Sequence, residues 1–187
     1  TFGEDADLSA ELTAAYIPFV NYGIRVTPFF VDKIIDTDGK VLFRTAVIKQ
    51  QVMSRRDAAI MTDMLKAVVL EGTGRKAGIL PKETAGKTGT TDNYKDALFI
   101  GFSPDLALGV WVGKDDSTSL GKLETGARAA LPIWMEVMQH HTPQNPLQYF
   151  DIPDGTKMIY VNPDTGKRSS KKTGKTVKAL VKSKDAA

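Results

Sequence analysis

The sequence predicts an α+β fold in which an antiparallel sheet is flanked by helices. Two apolar, β-favouring runs, residues 96–103 and 106–113, meet at the short turn Ser103-Pro104-Asp105 and are typical of a β-hairpin. A second pattern has the three- and four-residue spacing of one helix face, and its members are Ile60, Met61, Met64, Leu65, Val68 and Val69. With 187 residues, of which 42% are apolar, the chain can bury the core of one domain.

The first half of the chain is predicted to hold two helices separated by a hairpin, each bounded by start or stop signals. The elements are a helix over 9–20 with Ser9 as its N-cap and Asn21–Gly23 as its stop, a hairpin of residues 26–35 and 40–45 around Asp36–Gly39, and a helix from Ser54 to Gly72. Ser54 and Asp57 form a variant of the capping box, which fixes where the second helix begins.

The second half is predicted to build the sheet and then to end in a tail. Its elements are a loop over 75–82, a strand over 84–92, the hairpin over 96–113 and a closing helix over 127–140 that Pro132 is expected to kink. Three successive antiparallel strands from Thr84 would form the middle of a sheet. We therefore divide the chain into a folded part, residues 1–150, and a basic, largely disordered tail, residues 151–187, with order expected only at 158–161.

The net charge of +3 conceals the basic character of this tail. Residues 166–187 contain 8 Lys or Arg and 1 acidic residue, whereas the rest of the chain contains 17 Lys or Arg and 21 acidic residues. A solvated segment is the interpretation that we favour over binding to anionic lipid headgroups or polymer. The run 167–176 has no aromatic residue, which argues against nucleic acid as a partner.

Other function classes are excluded by residue types that are missing or misplaced. The chain has no cysteine, so it has no disulfide framework and no thiolate nucleophile. No stretch approaches ~18 uninterrupted apolar residues, and the acidic segment 1–7 is not a signal peptide. Gly86-Lys87-Thr88 fails as a phosphate-binding loop because Pro81 stands where a glycine is needed. We expect no cofactor, and no metal at His140-His141.

One short motif carries chemistry, namely Lys87-Thr88-Gly89 followed by Thr90 on a predicted strand. Gly89 has no side chain, so a ligand backbone can lie flat against the strand. Lys87 supplies a positive charge, and the two threonine hydroxyls can hold a carboxylate. A second copy, Lys172–Gly174, lies in the tail with no apolar alternation after it, so we assign the site to the first copy.

Several further motifs follow one another in order along residues 8–140. They are Leu12–Tyr16 with Asn21–Gly23, Glu71–Gly74, Ala85–Thr91, Lys95–Ala97, Trp111–Gly113, Asp115-Asp116, Leu120-Gly121, Thr125-Gly126 and Pro132–Trp134. This series resembles the C-terminal half of the transpeptidase domain of class A penicillin-binding proteins, within the penicillin-binding protein and serine β-lactamase superfamily. The chain departs from the family at Leu98, Ala127 and Leu131, where Trp, Gly and Ala are usual.

The resemblance implies a serine D,D-transpeptidase that cross-links peptidoglycan and that β-lactams acylate. It implies that Lys87 and Thr90 are catalytic and that Lys87, Thr88, Gly89 and Thr90 bind substrate. Thr88 and Thr90 would hold the substrate carboxylate, and Lys87 would place its charge in the proton network. The backbone N–H of Thr90 would be one of two oxyanion donors.

The family's nucleophile is a Ser three residues before a Lys at the start of a buried helix. Two such spacings occur, Ser119 with Lys122 and Ser169 with Lys172, but neither opens an apolar helix, and no Ser-x-Asn motif occurs anywhere. We therefore predict that this chain holds no nucleophile. In the family the nucleophile's helix packs on the sheet, so a face carrying residues such as Leu98, Ile100 and Val110 would be left partly bare.

The expected partners are peptidoglycan stem peptides, β-lactams, and either the upstream half of the same domain or a second polypeptide. The resemblance also implies an extracytoplasmic location, with a membrane anchor and a glycosyltransferase domain upstream. Two alternatives stay open. One is a non-catalytic binding or sensor module that uses an exposed sheet edge. The other is a D,D-carboxypeptidase or β-lactamase on the same fold, in which water resolves the acyl-enzyme.

Overall fold

The computed structural model describes residues 4–141, 149–169 and 176–186. Its helices and strands are α1 (Glu4–Val20), β1 (Ile24–Val26), β2 (Lys33–Ile35), β3 (Val41–Arg44), β4 (Lys49–Gln51), α2 (Arg55–Leu70), β5 (Ala85–Thr90), β6 (Ala97–Phe102), β7 (Ala107–Val112), α3 (Leu131–His140), β8 (Thr156–Val161) and β9 (Val177–Lys182). The predicted α+β class is confirmed, with helices around antiparallel sheets. Across the described ranges, no helix is long and apolar enough to cross a bilayer.

The central sheet has three antiparallel strands in the order β5-β6-β7. In its register, Lys87 lies opposite Ile100, which in turn lies opposite Gly109. Among the described residues, β6 is the middle strand of this sheet, and β5 and β7 are its edges. The prediction that all three strands lie in the middle of a sheet is therefore corrected. The strand that carries the Lys-Thr-Gly motif is an edge strand, which leaves one side of it accessible to other groups.

One face of this sheet packs against α3. Phe99 and Trp134 are fully buried, with ring centroids 5.0 Å apart in an edge-to-face arrangement. Val110 lies opposite Phe99 across the strand pair and packs into the same cluster. The Trp134 indole N–H donates to the Leu108 carbonyl over 3.0 Å, which satisfies the one polar group of this side chain. The core therefore lies between the sheet and α3.

The other face of the sheet packs against α1. Ile100 is only 1% exposed, and a Cβ on its neighbour Gly109 would overlap the Thr13 hydroxyl of α1. The expectation of a partly bare face with Leu98, Ile100 and Val110 is therefore wrong for Ile100 and Val110. α1 buries Ile100, and Val110 points to the opposite face because side chains alternate along a strand. Leu98 stays half-exposed on this side.

α1 begins five residues before its predicted start, at Glu4, so Ser9 lies inside the helix and not at its N-cap. The Ser9 carbonyl accepts a hydrogen bond from the Thr13 hydroxyl at 2.8 Å. The helix ends as predicted at the Asn21–Gly23 signal, where the Gly23 N–H donates to the Pro18 carbonyl and Gly23 has φ +83°.

α2 begins where the capping signal predicts. The Asp57 N–H donates to the Ser54 hydroxyl at 3.1 Å, and that hydroxyl donates to the Asp57 carboxylate at 2.6 Å. The Thr62 hydroxyl donates to the Phe19 carbonyl at 2.8 Å and so joins α2 to α1. Leu65 of α2 packs with buried Ala85 at the start of β5, which holds the edge strand against this helix.

Two small antiparallel pairs extend from the region between α1 and α2. β2 pairs with β3 around the predicted turn, where the Asp36 carboxylate accepts from the Lys40 N–H at 2.8 Å. β1 pairs with β4, and β4 was not predicted. The predicted strand over 26–35 is interrupted between Val26 and Lys33, a stretch that contains Pro28, whose missing N–H cannot join a ladder.

Large apolar side chains are exposed on and beside β2 and β3. They are Phe29, Phe30, Val31, Ile34, Ile35, Val41, Leu42, Phe43, Val47 and Ile48. Monomeric proteins rarely expose contiguous apolar patches beyond about a few hundred Å². This patch, which we call the hairpin patch, therefore replaces the sheet face as the apolar surface on which a companion polypeptide is expected.

We expect the isolated chain to self-associate through the hairpin patch unless another polypeptide covers it. Changing Ile34, Leu42 and Ile48 together to Gln should shift light-scattering masses towards the monomer. The same triple change at the exposed residues Met64, Leu70 and Ile79, outside the patch, is the matched control and should shift them less. A compact, cooperatively melting 20.4 kDa monomer of the unmodified chain, with no companion polypeptide, would contradict this expectation.

The closing helix is shorter than predicted and is preceded by a wider turn. Residues Gly126–Ala130 form a π-helical turn that runs directly into α3. Pro132 is the second residue of α3 and directly follows this turn, so the change from π to α geometry stands where a kink was predicted.

The described part of the tail is ordered where the sequence predicts disorder. β8 and β9 pair over their whole lengths, from Thr156 opposite Lys182 to Val161 opposite Val177. This corrects the prediction of a largely disordered segment over 151–187, in which only 158–161 were expected to be ordered. Residues 170–175, which include the second Lys-Thr-Gly copy, lie outside the described residues.

The tail hairpin docks on α2 through a buried leucine, a backbone hydrogen bond and one ion pair. The Leu180 N–H donates to the Asp63 carboxylate at 2.8 Å, and Leu180 itself is buried. The Lys182 ammonium lies 2.6 Å from the Asp57 carboxylate, and hydrogen bonds from Lys182 and Ser54 lower the Asp57 pKa. Ion pairs as exposed as this one stabilise little. The buried Leu180 contact is therefore the stronger reason for the docking.

Candidate active site

The motif strand β5 emerges from the core halfway along its length. Ala85 and Gly86 are buried, whereas Lys87 and Thr90 are exposed. A Cβ on Gly86 would lie 2.8 Å from the Ile100 carbonyl oxygen and 2.8 Å from the Phe99 ring. The strand therefore approaches β6 more closely than a side chain would allow, and this anchors the exposed half.

The Thr88 hydroxyl is supported from the loop that follows α2. Its oxygen lies 2.8 Å from the hydroxyl oxygen of Thr73, and either group can be the donor. Thr73 belongs to the Glu71–Gly74 motif, for which the sequence analysis found no role in the site. The tertiary structure brings this motif to the site strand.

The Thr90 hydroxyl is supported from the π-helical turn. The Gly126 backbone N–H donates to the Thr90 hydroxyl oxygen at 3.1 Å. A backbone N–H can only donate, so this contact occupies an acceptor position of Thr90 and leaves the Thr90 proton available to a ligand. Thr90 is exposed, as a ligand-binding hydroxyl must be.

Gly89 and Gly126 allow two chain segments to approach closely. A Cβ on Gly126 would overlap the Leu98 carbonyl oxygen and lie 2.5 Å from the Gly89 carbonyl oxygen. A Cβ on Gly89 would lie 3.3 Å from the Leu98 Cβ. The absence of a side chain at Gly89 therefore serves packing against β6 as well as the ligand access predicted from the sequence.

Lys87 places a positive charge on the same strand as these hydroxyls. Its ammonium donates to the Thr88 carbonyl at 2.8 Å, and its side chain is exposed. The structure therefore keeps Lys87, Thr88, Gly89 and Thr90 together on one exposed strand segment, with a cation and two hydroxyls available to an anionic ligand.

A cavity of about 300 Å³ adjoins the site strand on its α1 side. It is lined by Ser9, Leu12, Gly89, Thr90, Thr91, Asp96, Leu98 and Trp111. Three of the lining side chains, Leu12, Leu98 and Trp111, are apolar, so the cavity can accept an apolar side chain next to the polar strand. A larger cavity of 690 Å³ lies between the start of α2 and β9, and among its charged lining side chains Arg55 pairs with Asp151.

The loop after the site strand is closed by Asp96. Its carboxylate accepts from the Thr91 hydroxyl at 2.9 Å and from the Trp111 indole N–H at 3.1 Å. The Asp96 backbone N–H donates in return to the Thr91 hydroxyl at 2.9 Å. This loop contains Asn93 and Tyr94 at φ +61° and +55°, so Asp96 holds a strained segment next to the site.

The family model described as "Penicillin binding protein transpeptidase domain" matches residues 9–138. The chain belongs to the penicillin-binding protein transpeptidase family. The resemblance inferred from the ordered motifs is therefore confirmed, and it extends from α1 into α3.

Known relatives support the class A assignment. The chain is 46% identical over 153 residues to penicillin-binding protein 1A of Aquifex aeolicus, which covers 82% of this chain and 21% of that protein. A solved structure of penicillin-binding protein 1A from Haemophilus influenzae has a TM-score of 0.81 at 24% identity, covering 91% of this chain and 31% of that one, and shows the shared fold. The chain thus spans about a fifth of the length of this curated relative.

A third relative was solved with a drug attached. The imipenem acyl-enzyme complex of penicillin-binding protein A from Mycobacterium tuberculosis has a TM-score of 0.53 and 25% identity, covering 68% of this chain and 29% of that one.

The penicillin-binding transpeptidase chain offers no nucleophile with the family's geometry in the residues described. Ser119 lies in an exposed, non-helical loop, where its hydroxyl donates to the Asn93 carbonyl at 2.8 Å and accepts from the Gly121 N–H at 3.2 Å. The partner lysine of the second spacing, Lys172, lies outside the described residues. In the described ranges no group of three His, Asp or Glu side chains could hold a metal ion; His141 lies 2.8 Å from the Asp105 carboxylate.

Three contributors to the site were missed by sequence reasoning. Thr73, Gly126 and Asp96 all stood in motifs that were recognised, yet none was given a role. Thr73 and Gly126 act on partners that only the fold brings near. The sequence motifs identified the segments that contribute to the site, but the hydrogen-bonding partners of the individual side chains were not predictable from the spacing of residues.

Proposed function

We propose that this chain is the substrate-recognition part of a serine D-Ala-D-Ala transpeptidase that cross-links peptidoglycan. The proposal rests on the strand segment of Lys87, Thr88 and Thr90 in a transpeptidase-family domain. The Thr88 hydroxyl is hydrogen-bonded to Thr73, and the Thr90 hydroxyl is hydrogen-bonded to Gly126. A terminal carboxylate next to a scissile amide is the kind of ligand that such a strand segment can hold.

In the proposed reaction a Ser supplied from outside these residues attacks the carbonyl of the penultimate D-Ala. The amide bond breaks, the terminal D-Ala leaves with the proton taken from the Ser, and an acyl-enzyme ester remains. The amine of a neighbouring stem peptide then attacks the ester, forms the cross-link and releases the Ser. A β-lactam would acylate the same Ser by opening its ring, a proposal supported by the imipenem acyl-enzyme of the mycobacterial relative.

Each site residue has one proposed role. The Thr88 and Thr90 hydroxyls hold the substrate carboxylate, and Gly89 keeps the strand surface flat for the ligand backbone. Lys87 contributes positive charge to the proton network. The Thr90 backbone N–H is one of two oxyanion donors that stabilise the tetrahedral intermediate.

The proposal extends to where the protein works and what it contacts. Its substrates are peptidoglycan stem peptides and its inhibitors are β-lactams, and both are met outside the cytoplasm. We propose that an upstream segment anchors the protein in the membrane and that an upstream polypeptide supplies the nucleophile.

Labelling with a fluorescent penicillin tests whether the nucleophilic Ser lies upstream of this chain. We expect the full-length protein to be labelled covalently at a Ser upstream of these residues, and the isolated 187-residue chain to stay unlabelled. Labelling of the isolated chain that mass spectrometry maps to Ser119 or Ser169 would contradict the proposal.

Incubating the full-length protein with stem peptides distinguishes transpeptidase from carboxypeptidase activity, because a transpeptidase forms cross-linked dimers, whereas a carboxypeptidase only releases D-Ala.

A further inference from the structure

We propose that Thr73 is a positioning residue, which orients the Thr88 hydroxyl towards the carboxylate of the ligand. This inference rests on the proposed function, since it concerns the same carboxylate. The inference is drawn from the distance of 2.8 Å between the Thr73 and Thr88 hydroxyl oxygens. Thr73 does not need to touch the ligand, because it acts through Thr88.

The loop that carries Thr73 is held close to α2 and to the core. The Gly72 and Gly74 N–H groups both donate to the Val68 carbonyl, at 3.1 and 3.0 Å. A Cβ on Gly72 would lie 2.9 Å from the Val68 Cα, and a Cβ on Gly74 would lie 3.4 Å from the Phe99 ring. The glycines on both sides of Thr73 therefore let the loop pack tightly, which fixes where the Thr73 hydroxyl lies.

The direction of the hydrogen bond decides what Thr88 can offer a ligand. A threonine hydroxyl has one proton and two acceptor lone pairs. When Thr73 donates to Thr88, the Thr88 proton is left for a carboxylate. When Thr88 donates to Thr73, the ligand meets only lone pairs, which repel an anion.

The neighbouring hydroxyl already has the first arrangement. Thr90 accepts from the Gly126 N–H, a group that cannot accept, so the Thr90 proton is available to a ligand. With Thr73 as donor, both threonines of the site strand present protons on the same segment. A bound carboxylate favours the orientation in which Thr73 donates to Thr88. In that orientation the two hydroxyls form a chain of hydrogen bonds that ends on the anion, and each hydrogen bond in such a chain strengthens the others.

The test compares two ligands on the full-length protein, benzylpenicillin and its methyl ester, which lacks the anion. Thr73→Val keeps the shape of the side chain and removes the hydroxyl. We expect it to slow acylation by benzylpenicillin by about three- to tenfold, and acylation by the ester by less than about twofold. Thr73→Ser keeps the hydroxyl and is expected to restore the rate with benzylpenicillin.

A double variant tests that Thr73 acts through Thr88. Adding Thr73→Val to Thr88→Val should change the rate with benzylpenicillin by less than about twofold, because residues in one chain of hydrogen bonds are not additive. Equal losses with both ligands, additive losses in the double variant, or failure of Thr73→Ser to restore the rate would each overturn the inference. A wild-type protein that neither ligand acylates would overturn the proposed function and this inference together.

Discussion

Replacing Gly126 by alanine in the full-length protein is expected to lower both stability and penicillin acylation. The new Cβ would overlap the Leu98 carbonyl oxygen and lie 2.5 Å from the Gly89 carbonyl oxygen. The π-helical turn must then move away from the site strand, and Thr90 loses the N–H that supports its hydroxyl. We expect the free energy of unfolding to fall by about 1–3 kcal/mol and acylation to slow by about ten- to a hundredfold.

Thermal unfolding and the rate of labelling by a fluorescent penicillin measure these two effects. Gly78→Ala is the matched control, because the nearest atom to its new Cβ is the Val69 carbonyl oxygen at 3.3 Å and Gly78 is exposed. Wild-type labelling by Gly126→Ala would mean that the contact between the turn and the site strand does not position Thr90.

Replacing Lys87 by alanine is expected to slow acylation without destabilising the fold. Lys87 is exposed, and its ammonium donates to the carbonyl of the next residue, Thr88, so its removal takes away no core packing. A lost charge-assisted hydrogen bond to the ligand is worth about 1.5–3 kcal/mol, or about ten- to a hundredfold in rate. Stopped-flow acylation with penicillin, alongside thermal unfolding, separates the two effects.

Lys172→Ala provides the comparison for Lys87→Ala, because Lys172 opens the second Lys-Thr-Gly copy. We expect no change in rate at Lys172. Equal losses at both lysines would mean that the wrong copy was assigned or that neither copy binds the ligand.

The sequence predicted local features well, because their determinants lie a few residues apart. Ser54 caps α2 through Asp57, and the Asp36 turn joins β2 to β3. Both depend on side chains that reach backbone groups three or four residues away. The ordered motifs predicted the family, since a series of residues at fixed spacings is more specific than any one triplet.

Patterns with two interpretations were predicted less well. The composition of the tail is that of a charge run, yet four of the six residues of Val177–Lys182 are apolar, and this segment forms β9. Its partner β8 and its buried contact with α2 decide between strand and solvated segment. Likewise, strand spacing did not show that Val110 lies on the opposite face from Ile100, because the register of β6 and β7 sets the face.

The sequence alone determined that a cation and two hydroxyls lie along one strand, Lys87 to Thr90. Only the tertiary structure decided which groups contact those hydroxyls. Thr73 reaches Thr88 across 15 residues of sequence, and Gly126 reaches Thr90 across 36. Such contacts depend on how the loops pack around the core. The glycines in these segments let the backbones approach β6 closely, which brings these partners to within hydrogen-bonding distance.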